Sequence, residues 1–327
     1  MFQRFFPFFT LIALFIVLAI ASPNFLTATN LSSVVRQTAV INIMALGMTV
    51  IIIAGGIDLS VGSMLALAGL LGTMCMEKQL GMGAGIVVGI AAGILCGVAN
   101  GFMVTGLRIN PFIVTLGTMG IFRGLALIIS KGLPVHQVPK EFAFLGDGNL
   151  LGVPFVLWVL LFCAVAIHIV LEHTRFGRYT FAIGSNEDAA YYAGVPVAFV
   201  TVIVYGIGGL LTGLAGMIEA SRLMTGQPAG GQGYELTAIA AVVIGGASLR
   251  GGEGSVLGTL IGAFIMGLLS NGSDLLGTNP YWQQVVIGGA IIVAVTLDEL
   301  RKRRLAATPA QRAPQAQSAE QKAAITQ

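Results

Sequence analysis

Ten apolar stretches run almost end to end along this chain, at approximately 5–21, 39–54, 59–75, 84–105, 110–130, 153–171, 199–221, 236–249, 255–270 and 284–298. A helix needs about 20 apolar residues to cross a bilayer. Water cannot serve as solvent for so much apolar surface here. Only 9% of the residues are charged, against about 25% in an average soluble domain. Lipid must therefore cover the chain. The 45 glycines fit that setting, because small residues let helices approach closely where packing and hydrogen bonds drive association. The expected fold class is all-α, a polytopic transmembrane helical bundle.

The number of spans turns on two glycine-rich interruptions, GGID at 55–58 and GGASLRGGEG at 245–254. Each reads either as a tight turn or as a break inside one long span. The count is ten spans in the first case and eight in the second, so about 8–10 spans are expected. Either count is even and puts both termini on one side. With the N-terminus inside, Arg4, Arg108, Arg175, Arg178, Arg250 and the run Arg301, Lys302, Arg303, Arg304 all fall inside. The positive-inside rule then places both termini in the cytoplasm. The first stretch has the outline of a signal peptide, with Arg4 ahead of a Phe-rich run and Ala19-Ile20-Ala21 behind it. It is read here as a span. The expected organisation is a transmembrane domain over 1–298 and a basic, then disordered, cytoplasmic tail over 299–327.

Several function classes find no support. The chain has no Walker A pattern and thus no visible ATP site. Cys75, Cys96 and Cys163 lie in apolar stretches without metal or disulfide spacing and read as packing residues. His136, His168 and His173 form no cluster in the sequence. No catalytic residue, metal site or cofactor is expected, and no nucleic-acid partner. The spans hold almost no carboxylates, which weakens a proton-driven carrier.

Four segments could carry function. In GGIDLSVGS, Asp58 or Ser60 can cap the next helix, which makes a plain turn. The alternative is a polar wall of a translocation path, with Asp58, Ser60 and Ser63 offering hydrogen bonds to a hydroxyl-rich solute. Asn42 joins them as a candidate. In the loop 176–197, Ser185 or Asn186 can start a short helix, Glu187 and Asp188 suit its positive end and Gly194 its stop. That piece reads as a surface connector or as a docking helix. In 219–254, Glu219 and Arg222 share a helix face and can pair. With Glu235 they are either structural or the mouth for an external partner. Arg123 is the one cation within a span. Between Gly120 and Gly124, close packing would let it bond backbone carbonyls of a neighbour.

The sequence closely resembles the ribose-type ABC importer permeases, a family that includes xylose, arabinose and galactoside permeases. The resemblance covers about 22–297. It is carried by GMTVIIIAGGIDLSVGSMLALAG (47–69), NPFIVTLGTMGIFRG (110–124), TRFGRYTFAIGSNEDAAYYAGV (174–195) and GYELTAIAAVVIGGASLRGGEGSVLGTLIGAFIMGLLSNG (233–272). Branched-chain amino acid and nucleoside permeases share the broader fold but resemble GGIDLSVGS less. The resemblance implies a transporter subunit rather than an enzyme, in the bacterial inner membrane, importing a small sugar. Its implied partners are an ABC ATPase, a periplasmic sugar-binding protein, a second permease copy and membrane lipid. It makes the inner loop an ATPase-coupling segment, with Gly184, Asn186, Glu187, Ala190 and Gly194 as candidates. The general coupling motif has Ala-Ala directly after its Glu and Gly six residues on. Here Asp188 intervenes and Gly194 comes seven residues after Glu187. An importer for a polyol, nucleoside or amino acid is the alternative, and a secondary carrier a more distant one.

Overall fold

The computed structural model describes residues 6–279, together with 281–282, 284–289, 292–293 and 296. Its helices are α1 (Phe6–Ala21), α2 (Ala28–Ile53), α3 (Val61–Glu77), α4 (Met82–Gly106), α5 (Pro111–Ser130), α6 (Ala143–Asp147), α7 (Phe155–His173), α8 (Arg175–Ser185), α9 (Glu187–Tyr192), α10 (Val197–Leu223), α11 (Tyr234–Ile244) and α12 (Val256–Leu275). One two-residue hairpin, β1 (Asn149–Leu150) with β2 (Val153–Pro154), supplies the named strands. Six helices, α2, α4, α5, α7, α10 and α12, are long and apolar enough to cross a membrane, and α1, α3 and α11 are apolar but shorter. The last apolar stretch is helical at 284–289. Arg4, the basic run at 301–304 and the tail expected over 299–327 lie outside the described residues.

The long helix α10 is the hub of the bundle, packing on α2, α3 and α4. Glycine makes its closest seam. Gly93 and Gly97 on α4 are four residues apart and so share a face. A methyl group on Gly93 would lie 2.7 Å from the Gly213 Cα, and one on Gly97 3.0 Å from the Gly209 Cα. The two backbones therefore touch without side chains between them, as membrane helices with small-residue faces do.

Contacts with α10 also settle the nature of the first interruption. Gly47 lies against Gly208 and Leu211, Ile51 against Gly208, and Gly56 against Tyr205. Going along α2, the position on α10 falls. Along α3 it rises, from Leu65 against Gly216 to Gly69 against Ala220. The two helices run in opposite directions, so GGID is a reversal. The second interruption is one too: Gly245 meets Gly258 and Ala241 meets Gly262, as in an antiparallel pair.

Helix α2 begins well before the apolar stretch at 39. Thr27 caps it, its hydroxyl accepting from the Asn30 N–H at 3.3 Å. The polar first turns bind other elements. The Asn30 and Asn271 side chains exchange amide bonds of 3.2 and 2.8 Å, and Arg36 donates to the Asp147 carbonyl at 2.9 Å. Helix α1 packs through Leu18 on Leu268 of α12. The loop 131–154 folds over the end of α10, where the Ser221 hydroxyl accepts from the Gly146 N–H at 2.8 Å and donates to the Phe142 carbonyl.

Candidate translocation and docking sites

Two polar groups lie inside the bundle, and a third lies on a short helix at one end. The first is the GGID reversal. Asp58 is 1% exposed. Its Oδ1 accepts from the Ser60 N–H at 2.8 Å and the Ser60 hydroxyl at 2.6 Å, and its Oδ2 from the Asn100 amide of α4 at 3.3 Å. The Asn100 amide also donates to the Ser60 oxygen at 2.9 Å. Among the described residues no cation pairs with Asp58. A buried carboxylate is costly unless hydrogen-bonded, and these donors meet that need. The Ile57 carbonyl accepts from Thr115 of α5 at 3.2 Å and from the Tyr205 hydroxyl of α10 at 3.4 Å. The reversal is thus tied to α4, α5 and α10 at once.

The expected helix cap is corrected here. Ser60 is the N-cap of α3 but makes no side-chain cap bond, because its hydroxyl is bound to Asp58. Ser63 donates to the Ser60 carbonyl at 2.8 Å and is buried. Asn42 stands apart on α2. Its amide donates to the Thr38 carbonyl at 3.0 Å, and its Oδ1 has no hydrogen-bond partner among the described residues. The structure groups Asp58 with Ser60 and Asn100, and leaves Asn42 outside that group.

The second group surrounds the connection from α10 to α11. Glu219 and Arg222 pair, with bonds of 3.1, 3.0 and 2.9 Å. The Tyr234 hydroxyl donates to Glu219 at 3.2 Å. Arg123 bonds backbone carbonyls, as its sequence setting suggested: it donates to Pro228 at 2.8 Å and Gly230 at 2.7 Å. The expected reason does not hold, because a methyl on Gly120 or Gly124 would meet nothing within 4 Å. Arg123 reaches a neighbouring segment on its own long side chain. Glu235 accepts from the Gly233 N–H at 3.2 Å, and its other oxygen lies against Gly62 of α3.

The third group is α9. Asn186 caps it, accepting from the Ala189 N–H at 2.9 Å. Glu187 and Asp188 fill its first turn, where the helix dipole favours negative charge. It stops at Gly194 with φ +83°. The Gly194 N–H donates to Tyr191 and the Val195 N–H to Ala190, the pattern of a glycine-terminated helix. Ala190 is buried and anchors the helix, while Tyr191 and Tyr192 are 67% and 86% exposed.

One junction was not visible in the sequence. A methyl on Gly184, at the end of α8, would collide with the Ile53 carbonyl at the end of α2, and the Gly252 N–H donates to that same carbonyl at 2.9 Å. A methyl on Gly251 would lie 2.7 Å from the Gly184 carbonyl. The segment carrying α9, the end of α2 and the α11–α12 turn therefore meet backbone to backbone.

With this arrangement in view, residues 30–295 match the family model described as branched-chain amino acid transport system / permease component. The chain belongs to this permease family. Over 298 residues it is 46% identical to the ribose import permease protein RbsC of Bacillus subtilis, covering 90% of this chain and 92% of that one. Over 290 residues it is 41% identical to the L-arabinose transport system permease protein AraH of Escherichia coli, covering 89% and 88%. Over 299 residues it is 36% identical to the D-allose transport system permease protein AlsC of Escherichia coli, covering 90% of each. No solved structure matches. As a multi-pass membrane permease, the chain is a transport subunit rather than an enzyme.

Proposed function

We propose that this permease is the membrane-spanning subunit of an ATP-driven ABC importer in the bacterial inner membrane. It takes up a small sugar, a pentose, hexose or related compound, delivered by a periplasmic binding protein. The observation that carries this reading is its identity to sugar permeases along nine-tenths of its length. Its partners in this reading are an ATPase chain and a second permease copy. An importer for another small solute is the alternative.

The end of the bundle bearing α9 faces the cytoplasm in this reading. Arg108, Arg175, Arg178 and Arg250 belong to connections at that end, in keeping with the positive-inside rule. Helix α9, with Asn186, Glu187, Ala190 and Gly194, docks on the ATPase and offers Tyr191 and Tyr192 to it. Gly184 passes the ATPase's movement to α2 and to the α11–α12 turn, since a backbone contact leaves no compliant side chain between the moving parts. Asp58, Ser60 and Ser63, with Asn100, form the inner closure of the path, packed shut in this conformation. Asn42 gains no support from its placement. Glu219 and Arg222 belong to the opposite mouth, where the binding protein docks. ATP and the loaded binding protein must favour different conformations of the permease, because a ligand without differential affinity shifts nothing.

The test is gentle purification of the tagged protein from native membranes, followed by assay for co-purified subunits and ATP hydrolysis. An associated ATPase that is lost when residues 187–194 are altered supports the reading. A lone permease that moves solute in vesicles without ATP contradicts it.

A further inference from the structure

The connection between α10 and α11 is irregular backbone, and it runs deep. It begins near one end of the bundle, where Gly226 lies against Leu70 and Thr73 of α3. By Gly231 it lies against Gly62 and Leu65 of the same helix. Gly62 is fifteen residues from the end of α3 at Glu77, about 22 Å at 1.5 Å per residue. Arg123, which holds the Pro228 and Gly230 carbonyls, is seven residues from the end of α5 at Ser130, about 10 Å by the same rise. The segment thus descends well into the apolar layer.

It is also open there. Ala229, Gln232 and Gly233 are exposed, and Gly230, Gly231 and Glu235 are half-buried. Among the described residues, no hydrogen bond reaches the N–H groups of Gln232, Glu235 or Leu236. Exposed, irregular backbone does not occur against lipid. At membrane depth it is tolerated only where protein buries it or where it lines a water-filled cavity. Here the surrounding helices leave it uncovered.

We propose that residues 229–236 form the solute-facing wall of the translocation path and bind a neutral, polyhydroxylated solute there. The free N–H groups at the start of α11 donate to hydroxyls, and the Gln232 side chain and Glu235 carboxylate accept from them. Charge selects a neutral solute. The Arg123 guanidinium lies near the Glu235 carboxylate and is already bound to the Pro228 and Gly230 carbonyls, so among the described residues no unpaired cation is left at this segment to hold an anion. Arg123 is a positioning residue that fixes the segment against α5. The solute class rests on the importer reading above, whereas the water access does not.

Gln232→Cys and Ala229→Cys, at exposed loop positions, test the proposal in the full complex against Phe162→Cys, which is 75% exposed on α7. Each is treated in sealed vesicles with a membrane-impermeant thiol reagent, with the unsubstituted protein as the background. The expected result is rapid labelling at 232 and 229, none at 162, and loss of sugar uptake by the Ala229→Cys protein after labelling while ATP hydrolysis persists. Labelling at 232 and 229 no faster than at 162 overturns the proposal, as does labelling at 229 that leaves uptake unchanged. If instead uptake proves independent of ATP while labelling remains rapid, the importer reading fails and the wall stands.

Discussion

Asp58 and Glu235 are both carboxylates set among apolar helices, and the bundle treats them differently. Asp58 is sealed, with donors from Ser60 and Asn100 on both of its oxygens. Glu235 is half-buried beside irregular backbone where, among the described residues, the N–H groups of Gln232, Glu235 and Leu236 have no partner. A polar group fully answered by its neighbours ties helices together. One left partly unanswered marks where water must enter, because lipid cannot meet the need. The two regions thus read as the closed and the open part of one path.

The largest effect expected comes from the closed side. Gly184→Val drives a side chain into the Ile53 carbonyl. Overpacking of this kind costs about 1–3 kcal/mol where it can relax, and a backbone neighbour relaxes poorly. Uptake should vanish while ATP hydrolysis by the assembled complex continues uncoupled. Coupled uptake at the wild-type rate would remove the junction from the transmission route. Next comes Asp58→Ala, which strips the acceptor from three donors, the Ser60 N–H, the Ser60 hydroxyl and the Asn100 amide. Each stranded group costs about 1–3 kcal/mol, so sugar uptake should fall about tenfold or more with subunit assembly intact. Normal uptake would make Asp58 dispensable to the closure.

Smaller effects belong to the open side. Arg123→Ala releases the Pro228 and Gly230 carbonyls, and the segment should become cleavable by protease added outside while the bundle stays folded. Arg123→Lys keeps the charge and one bond and should restore part of the protection. The smallest effect is expected from Glu219→Gln. Glu219 is buried and Arg222 half-buried, but glutamine keeps an oxygen that accepts from Arg222 and Tyr234. The melting temperature should therefore move little. A large drop would mean that the mouth is a structural clamp rather than a docking rim.

The helices were legible because long apolar stretches carry their own signal, and α9 was legible through Asn186 and Gly194. The start of α2 was not, since Asn30 and Arg36 look like loop residues until Asn271 and Asp147 are brought to them. Asn100 gave no sign of its role: a single amide in a glycine-rich span does not announce a partner 42 residues earlier. The same holds for the meeting of Ile53, Gly184 and Gly252, since backbone contacts between distant glycines leave no pattern along the chain. The cap left open to Asp58 or Ser60 did not form, because local spacing cannot show that the Ser60 hydroxyl is bound to the Asp58 carboxylate instead.

The most direct test is reconstitution of the permease in sealed vesicles with its ATPase chain inside and sugar-binding protein outside, followed by uptake of labelled ribose, arabinose and allose. The account predicts accumulation of at least one of them only when binding protein, ATPase and internal ATP are all present. Accumulation by the permease alone, driven by an ion gradient without ATP, would contradict it.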